Sequence, residues 1–273
     1  MSLRILQVGA NSHGASFAHA HDPVPYLISH GWAATLIEPQ PQAAAALRER
    51  YGGNSAVAVR AEAVCTTDDA EYTTLWLINT TKTIGSNHSD ARCLGDLAAI
   101  SGTASLSRKQ VLQYQRFYRF TPSQCAACSQ RLGRPLPPSC MSRVYLDNLE
   151  NVSVPCVPLR AASEWAADVL VVDAEGHDAD VVARYLEVVK ATPPRALVYE
   201  HAHLRGTIRL QLAHRLSAAG MVRHDTGRHR STRRGQQPWG WAALRHVLAR
   251  VDVKDNSVWV LNDTASQALL ASA

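Results

Sequence analysis

Two carboxylates and an imidazole fall within five residues in Asp173-Ala174-Glu175-Gly176-His177, directly after the aliphatic run Asp168–Val172. Such a set can move a proton to or from a bound acceptor, or face a cationic centre. Helix capping is the competing use, with Asp173 or Asp178 as N-cap and Gly176 as a turn residue. Glu200-His201 end the next aliphatic run, Ala196–Tyr199, and are expected on the same rim, with His203 at the surface. A second set stands near the start of the chain. Val8-Gly9-Ala10-Asn11-Ser12-His13-Gly14 follows the first apolar run, and a glycine turn there lets a ligand approach the backbone amides. Asn11 occupies the place of the second glycine in G-x-G-x-x-G, so the dinucleotide fingerprint fails. Glu38 lies 24 positions after Gly14 (38 − 14 = 24) and ends the second apolar run. A carboxylate there can accept hydrogen bonds from both hydroxyls of a ribose. The glycine turn and Glu38 together point to a ligand that contains a nucleoside.

These groups need a scaffold that aligns strand ends, and the apolar pattern supplies one. Arg4–Val8 reads as a buried strand stopped by Gly9. Asp22-Pro23 opens a short helix over Val24–His30, closed by Gly31. Ala34–Ile37 is the second strand, Pro41 with Gln42–Tyr51 the next helix, and Ala56–Ala61 the third strand. The rhythm resumes with the Asp168–Val172 strand, a helix over Asp180–Thr192, the Ala196–Tyr199 strand and a helix over Leu204–Ala219. Ser257–Leu261 is expected as a final antiparallel strand at the sheet edge. The implied class is α/β, a doubly wound, mostly parallel sheet in one domain spanning 1–273. An insertion over about 66–159, rich in polar residues, Cys and Pro, is expected to hold little regular structure and to form a lid or substrate platform.

The composition bounds the rest. Of 273 residues, 46% are hydrophobic and 19% charged, enough to bury a core and too apolar for a disordered chain. No apolar run reaches the roughly 18 residues that span a bilayer. The opening residues lack a signal-peptide pattern, so a soluble, cytoplasmic protein is expected. The six Cys are irregularly spaced and read as ordinary thiols in the insertion. Cys125, Cys128, Cys140 and Cys156 as ligands of a structural zinc are the alternative. Charge is uneven: residues 205–250 hold ten Arg, no Lys and one acid, Asp225, a local +9 within a chain of net +5. That segment suits either a solvated face or an anionic partner, with Arg223–Arg234 the candidate contact for nucleic-acid phosphates.

Five ordered motifs carry a family resemblance: Leu6-Gln-Val-Gly-Ala-Asn11, Glu38-Pro-Gln-Pro41, Ala61-Glu-Ala-Val64, Val172-Asp-Ala-Glu-Gly-His177 and Val198-Tyr-Glu-His201. In this order they resemble FkbM-type methyltransferases, a class I family that uses S-adenosylmethionine. The likeness covers about Leu3–Thr67 and Ala167–Gly220. It implies that Gly9, Ala10, Asn11 and Gly14 contact the methionine end of the cofactor and that Glu38 binds the ribose. It places Glu62 and Ala63 near the adenine and turns Asp173 toward the methyl donor. Asp173, Glu175, His177 and Glu200 become the candidates for orienting or deprotonating an acceptor. The implied reaction is O-methylation of a sugar or small-metabolite hydroxyl. Departures are Ala174 where the family usually has Val, three His in Ser12–Asp22 and the long middle insertion. An NAD(P)-dependent oxidoreductase is the alternative enzyme, since Glu38 also suits an NAD ribose. A non-catalytic nucleic-acid-binding module is the alternative outside enzymes. Trp239-Gly240-Trp241 could offer a sugar-stacking platform or simply pack.

Overall fold

The computed structural model describes residues 3–11, 22–65, 67–68, 70–79, 104–114, 121–138, 140, 148–159, 165–190, 192–224 and 256–263. Contacts divide the chain into two compact units, residues 1–72 with 155–273, and residues 73–154. The expected insertion brackets the second.

The first unit is built on a seven-stranded sheet of β1 (Arg4–Val8), β2 (Ala33–Ile37), β3 (Val57–Arg60), β7 (Val169–Val172), β8 (Ala196–Glu200), β9 (Met221–His224) and β10 (Asn256–Leu261). Its order is β3-β2-β1-β7-β8-β10-β9. Strands β3 to β8 are parallel, and β10 runs antiparallel to both β8 and β9. The architecture is therefore mixed α/β with a mostly parallel sheet. All four residues of β7 are buried, as a central parallel strand covered on both faces requires.

Alternation along each strand sorts the core into two layers. Ile5, Leu36, Val169 and Val171 pack with Leu27 of α1 (Val24–Ser29) and Leu47 of α2 (Pro41–Tyr51). Leu6, Ile37, Leu170 and Val172 face the opposite way, onto Val182 and Tyr185 of α5 (Asp178–Val188) and Leu212 and Leu216 of α6 (Gly206–Ala218). Helices thus cover both faces of the sheet, and the residues just past its strand ends are left to line a crevice.

Three expectations change. The last strand is not at the edge: β10 lies between β8 and β9, and β9 takes the edge. Only four residues long with Arg223 exposed, β9 carries too little apolar alternation to stand out in the sequence. The insertion is also more regular than expected. It contains β5 (Tyr72–Ile78), α3 (Arg108–Tyr114), α4 (Pro122–Leu132) and β6 (Leu149–Val157). Strand β6 lies between β5 and the two-residue β4 (Ala63–Val64) in a small second sheet. Helix α4 opens on a capping box in which Thr121 and Gln124 bond each other's backbone amides, and Gly133 closes it at φ 60°.

The cysteines are the third correction. Cys65 is bonded to Cys156, with Cα atoms 5.2 Å apart, and Cys125 to Cys140, with Cα atoms 5.6 Å apart. Cys128 is disulfide-bonded as well, and no free cysteine occurs among the described residues. The five described cysteines are therefore bridged rather than ordinary thiols, and the four-thiolate zinc site does not form, because Cys156 and Cys125 belong to different bridges. No described helix is long and apolar enough to cross a membrane.

Candidate functional site

Register brings four strand ends level. Val8 pairs with Ile37 on one side and Val172 on the other, and Val172 pairs with Tyr199. The next residues, Glu38, Gly9, Asp173 and Glu200, therefore line up along one rim. The chain winds outward in opposite directions from β1 and β7, so the rim contains the switch point where open α/β sheets bind ligands. With strands about 4.8 Å apart, Glu38 and Glu200 stand three spacings, roughly 14 Å, from each other.

The turn after β1 folds onto the end of β2. Gly9 and Ala10 donate backbone N–H bonds to the Ile37 carbonyl at 2.9 and 3.2 Å. Asn11 donates its N–H to Glu38 Oε2 at 2.7 Å, and Gln40 donates to Oε1 at 2.7 Å. Asn11 holds φ 49°, a left-handed conformation that asparagine tolerates. Gly9 sits at φ 79°. A Cβ there would stand 1.8 Å from the Asp173 carbonyl oxygen, so close packing against the residue after β7 by itself requires glycine at this position.

Glu38 is only 5% exposed, and burial pushes its carboxyl up to about 7 against the lowering effect of the two amide bonds. Each oxygen has accepted one amide bond, and a carboxylate oxygen offers a second lone pair. That capacity suits a pair of neighbouring hydroxyls.

The other half of the rim is a group of acids. Asp173 is reached by solvent yet enclosed by the surrounding chain. Enclosure pushes its carboxyl well above the ordinary range, and the charges of Glu175, Glu200 and Asp178 add to the effect. Asp178 is fully buried and accepts the backbone N–H groups of Ala174 and Gly176, both at 3.0 Å, so it brackets the loop from inside. Burial raises it to about 7 as well. The bracket throws Glu175 into the left-handed region at φ 49°, beside Gly176 at φ 97°.

Glu175 and Glu200 converge on a residue that the sequence reading assigned to the surface. His203 Nε2 lies 3.2 Å from Glu200 Oε1 and 3.8 Å from Glu175 Oε2. The ligating atoms of Glu175, Glu200 and His203 all lie within 4.8 Å of one another. Burial alone would lower the His203 imidazole, but the Glu200 hydrogen bond and the acidic neighbours outweigh it and raise it. His201, expected on the rim, is instead buried with Nδ1 3.1 Å from Ser257 Oγ on β10.

The remaining candidates separate from these two groups. His177 begins α5 with Nδ1 3.8 Å from Asp180 Oδ2, its ring nitrogens are buried without a hydrogen bond among the described residues, and burial lowers its imidazole. Glu62 is ion-paired with Arg60 at 2.7 Å, and Ala63 is buried in β4 against Cys156. Arg60 also stacks over the Trp165 ring, 4.9 Å from its centroid. Gly14, residues 225–234 of the basic segment and Trp239–Trp241 lie outside the described residues. Compared with family models, curated proteins and solved structures, the chain matches none.

Proposed function

We propose that the chain is an S-adenosylmethionine-dependent methyltransferase of the class I, FkbM-like kind, acting on a hydroxyl of a sugar or small metabolite. The observation that carries this reading is the sign of the charge at the switch point. The charges of Glu175, Glu200 and Asp178 add to enclosure in raising the Asp173 carboxyl, the mark of a negative potential at this rim. A cationic sulfonium is attracted to such a rim, whereas the pyrophosphate of NAD is repelled. Sheet order argues the same way, because the dinucleotide fold continues with a sixth parallel strand where this chain inserts antiparallel β10. Glu38 suits the ribose hydroxyls through its unused lone pairs, with Asn11 holding its orientation.

When bound, such a donor supplies a methyl group already activated for in-line displacement, so the protein's work is positioning. Asp173 faces the positive end of the ligand. Glu175, Glu200 and His203 stand where an acceptor hydroxyl can be oriented and its proton received. His177, beside Asp180, supports the start of α5. The paired cysteines favour an oxidising compartment over the cytoplasm that the sequence alone suggested.

Calorimetry with S-adenosylhomocysteine on the full chain tests the assignment. Binding near one equivalent is expected, with NADH giving none; a well-folded chain that ignores S-adenosylhomocysteine refutes it.

A further inference from the structure

We propose that Glu175, Glu200 and His203 form a binding site for one divalent first-row transition cation, of which Mn2+ and Zn2+ are the test cases. Three donors from two separate segments converge: Glu175 from the loop after β7, and Glu200 and His203 from the end of β8 and the turn behind it. Their ligating atoms lie within 4.8 Å of one another, close enough for one ion to reach all three after small side-chain adjustments. One imidazole and two carboxylates make a mixed nitrogen and oxygen set, which suits Mn2+, Fe2+ or Zn2+ better than the all-oxygen preference of Mg2+ and Ca2+. Three protein ligands leave coordination positions open for water or a substrate oxygen.

An independent observation points the same way. Among the described residues Glu200 Oε2 is buried with no hydrogen-bond partner, although Oε1 of the same group bonds His203. A buried carboxylate oxygen without a partner is costly, and a cation would supply one. The surrounding charge agrees, since Asp173 and Asp178 add two further acids. A dication would neutralise Glu175 and Glu200 and leave Asp173 to face a sulfonium. Only this division of labour rests on the methyltransferase reading. There the ion would polarise the acceptor hydroxyl. The competing arrangement is a protonated His203 clamping the two glutamates with no metal.

The experiment is a MnCl2 titration of the chelator-treated, disulfide-intact full chain at pH 8, read from the paramagnetic resonance signal of free Mn2+. One bound Mn2+ per chain is expected, displaced by Zn2+ as the usual order of affinities demands. His203→Ala and Glu175→Gln should each weaken binding at least about tenfold. Glu175→Gln keeps shape and solvation close to native, and circular dichroism identifies a variant that has not folded. No stoichiometric Mn2+ or Zn2+, or equal binding by folded variants, overturns the site in favour of the protonated clamp. S-adenosylhomocysteine calorimetry on the same samples separates the two readings. Metal binding without nucleoside binding keeps the site and removes the methyltransferase; the reverse removes only the site.

Discussion

Glu38 and Asp173 are both enclosed carboxyls at the ends of parallel strands, two places apart in the sheet, and their surroundings differ in kind. Glu38 is surrounded by amide donors: Asn11 and Gln40 each give it an N–H at 2.7 Å. Asp173 is surrounded by other acids, Glu175, Glu200 and Asp178. Burial raises Glu38 against two relieving hydrogen bonds, whereas Asp173, which solvent reaches, is raised by the enclosing chain and its acidic neighbours. On the proposed reading, the first half would receive the ribose hydroxyls and the second the cationic centre of one ligand, so neither half alone decides the substrate class.

The comparison is broken most severely at the joint between its halves. Gly9→Ala puts a methyl group onto the Asp173 carbonyl in a left-handed backbone. An overpacking cost near the top of its usual range, with the penalty for left-handed alanine, sums to about 4 kcal/mol. Urea unfolding should show that loss, and a loss below about 1 kcal/mol would mean that the strand ends do not meet this closely.

Next in size is a pH effect on the Glu38 side. Its folded-state carboxyl titrates near 7 against 4.5 for the free group, so the native chain holds that proton more tightly than the unfolded one. The contribution of Glu38 to stability is therefore full below pH 4.5 and is lost as pH rises through about 7. Glu38→Gln removes this loss. Relative to wild type, the variant should gain up to about 3 kcal/mol between pH 4.5 and pH 8 in paired denaturation curves, whatever slope Asp173 and Asp178 contribute to both. A parallel pH dependence in the two proteins contradicts the burial of Glu38.

Ligand binding probes the same residue more gently. Glu38→Ala should weaken S-adenosylhomocysteine roughly tenfold to hundredfold, about 1.5–3 kcal/mol for hydrogen bonds to a charged acceptor. Unchanged affinity by calorimetry would move the ribose elsewhere. The smallest effect belongs to the acidic side. Asp178→Asn keeps one acceptor oxygen for the loop amides and should cost about 1–2 kcal/mol in thermal unfolding, without changing the fold.

Legibility followed the reach of each physical signal. Runs that are mostly aliphatic mark β1, β2, β7 and β8, unbroken in β7 and interrupted by Gln7 in β1 and Thr35 in β2, because a strand buried on both faces admits few other residues. Glu38 and Glu200 could be found as the acids that end such runs. His201 and His203 were exchanged because the alternation that orients a strand stops where the strand does. Past Glu200 the turn decides, and it puts His201 under Ser257 and His203 between two glutamates. Thr121-Pro122-Ser123-Gln124 with Gly133 carried a readable start and stop for α4 in the insertion. The bridge from Cys65 to Cys156 spans 91 positions, and no local pattern could disclose it.

The chain's own order of residues determined that strands and helices alternate, that acids and a glycine turn stand at the strand ends, and that the sheet is buried on both faces. These follow from side-chain periodicity and backbone preference, which act over a few neighbours. Which acids are relieved by amides and which are crowded by other acids was decided only by folding. So were the close approach of Gly9 to the Asp173 carbonyl, the arrival of His203 among the glutamates and the cysteine pairing. Each depends on the distance between residues far apart in sequence, and charge interaction, steric exclusion and bond formation respond to that distance alone.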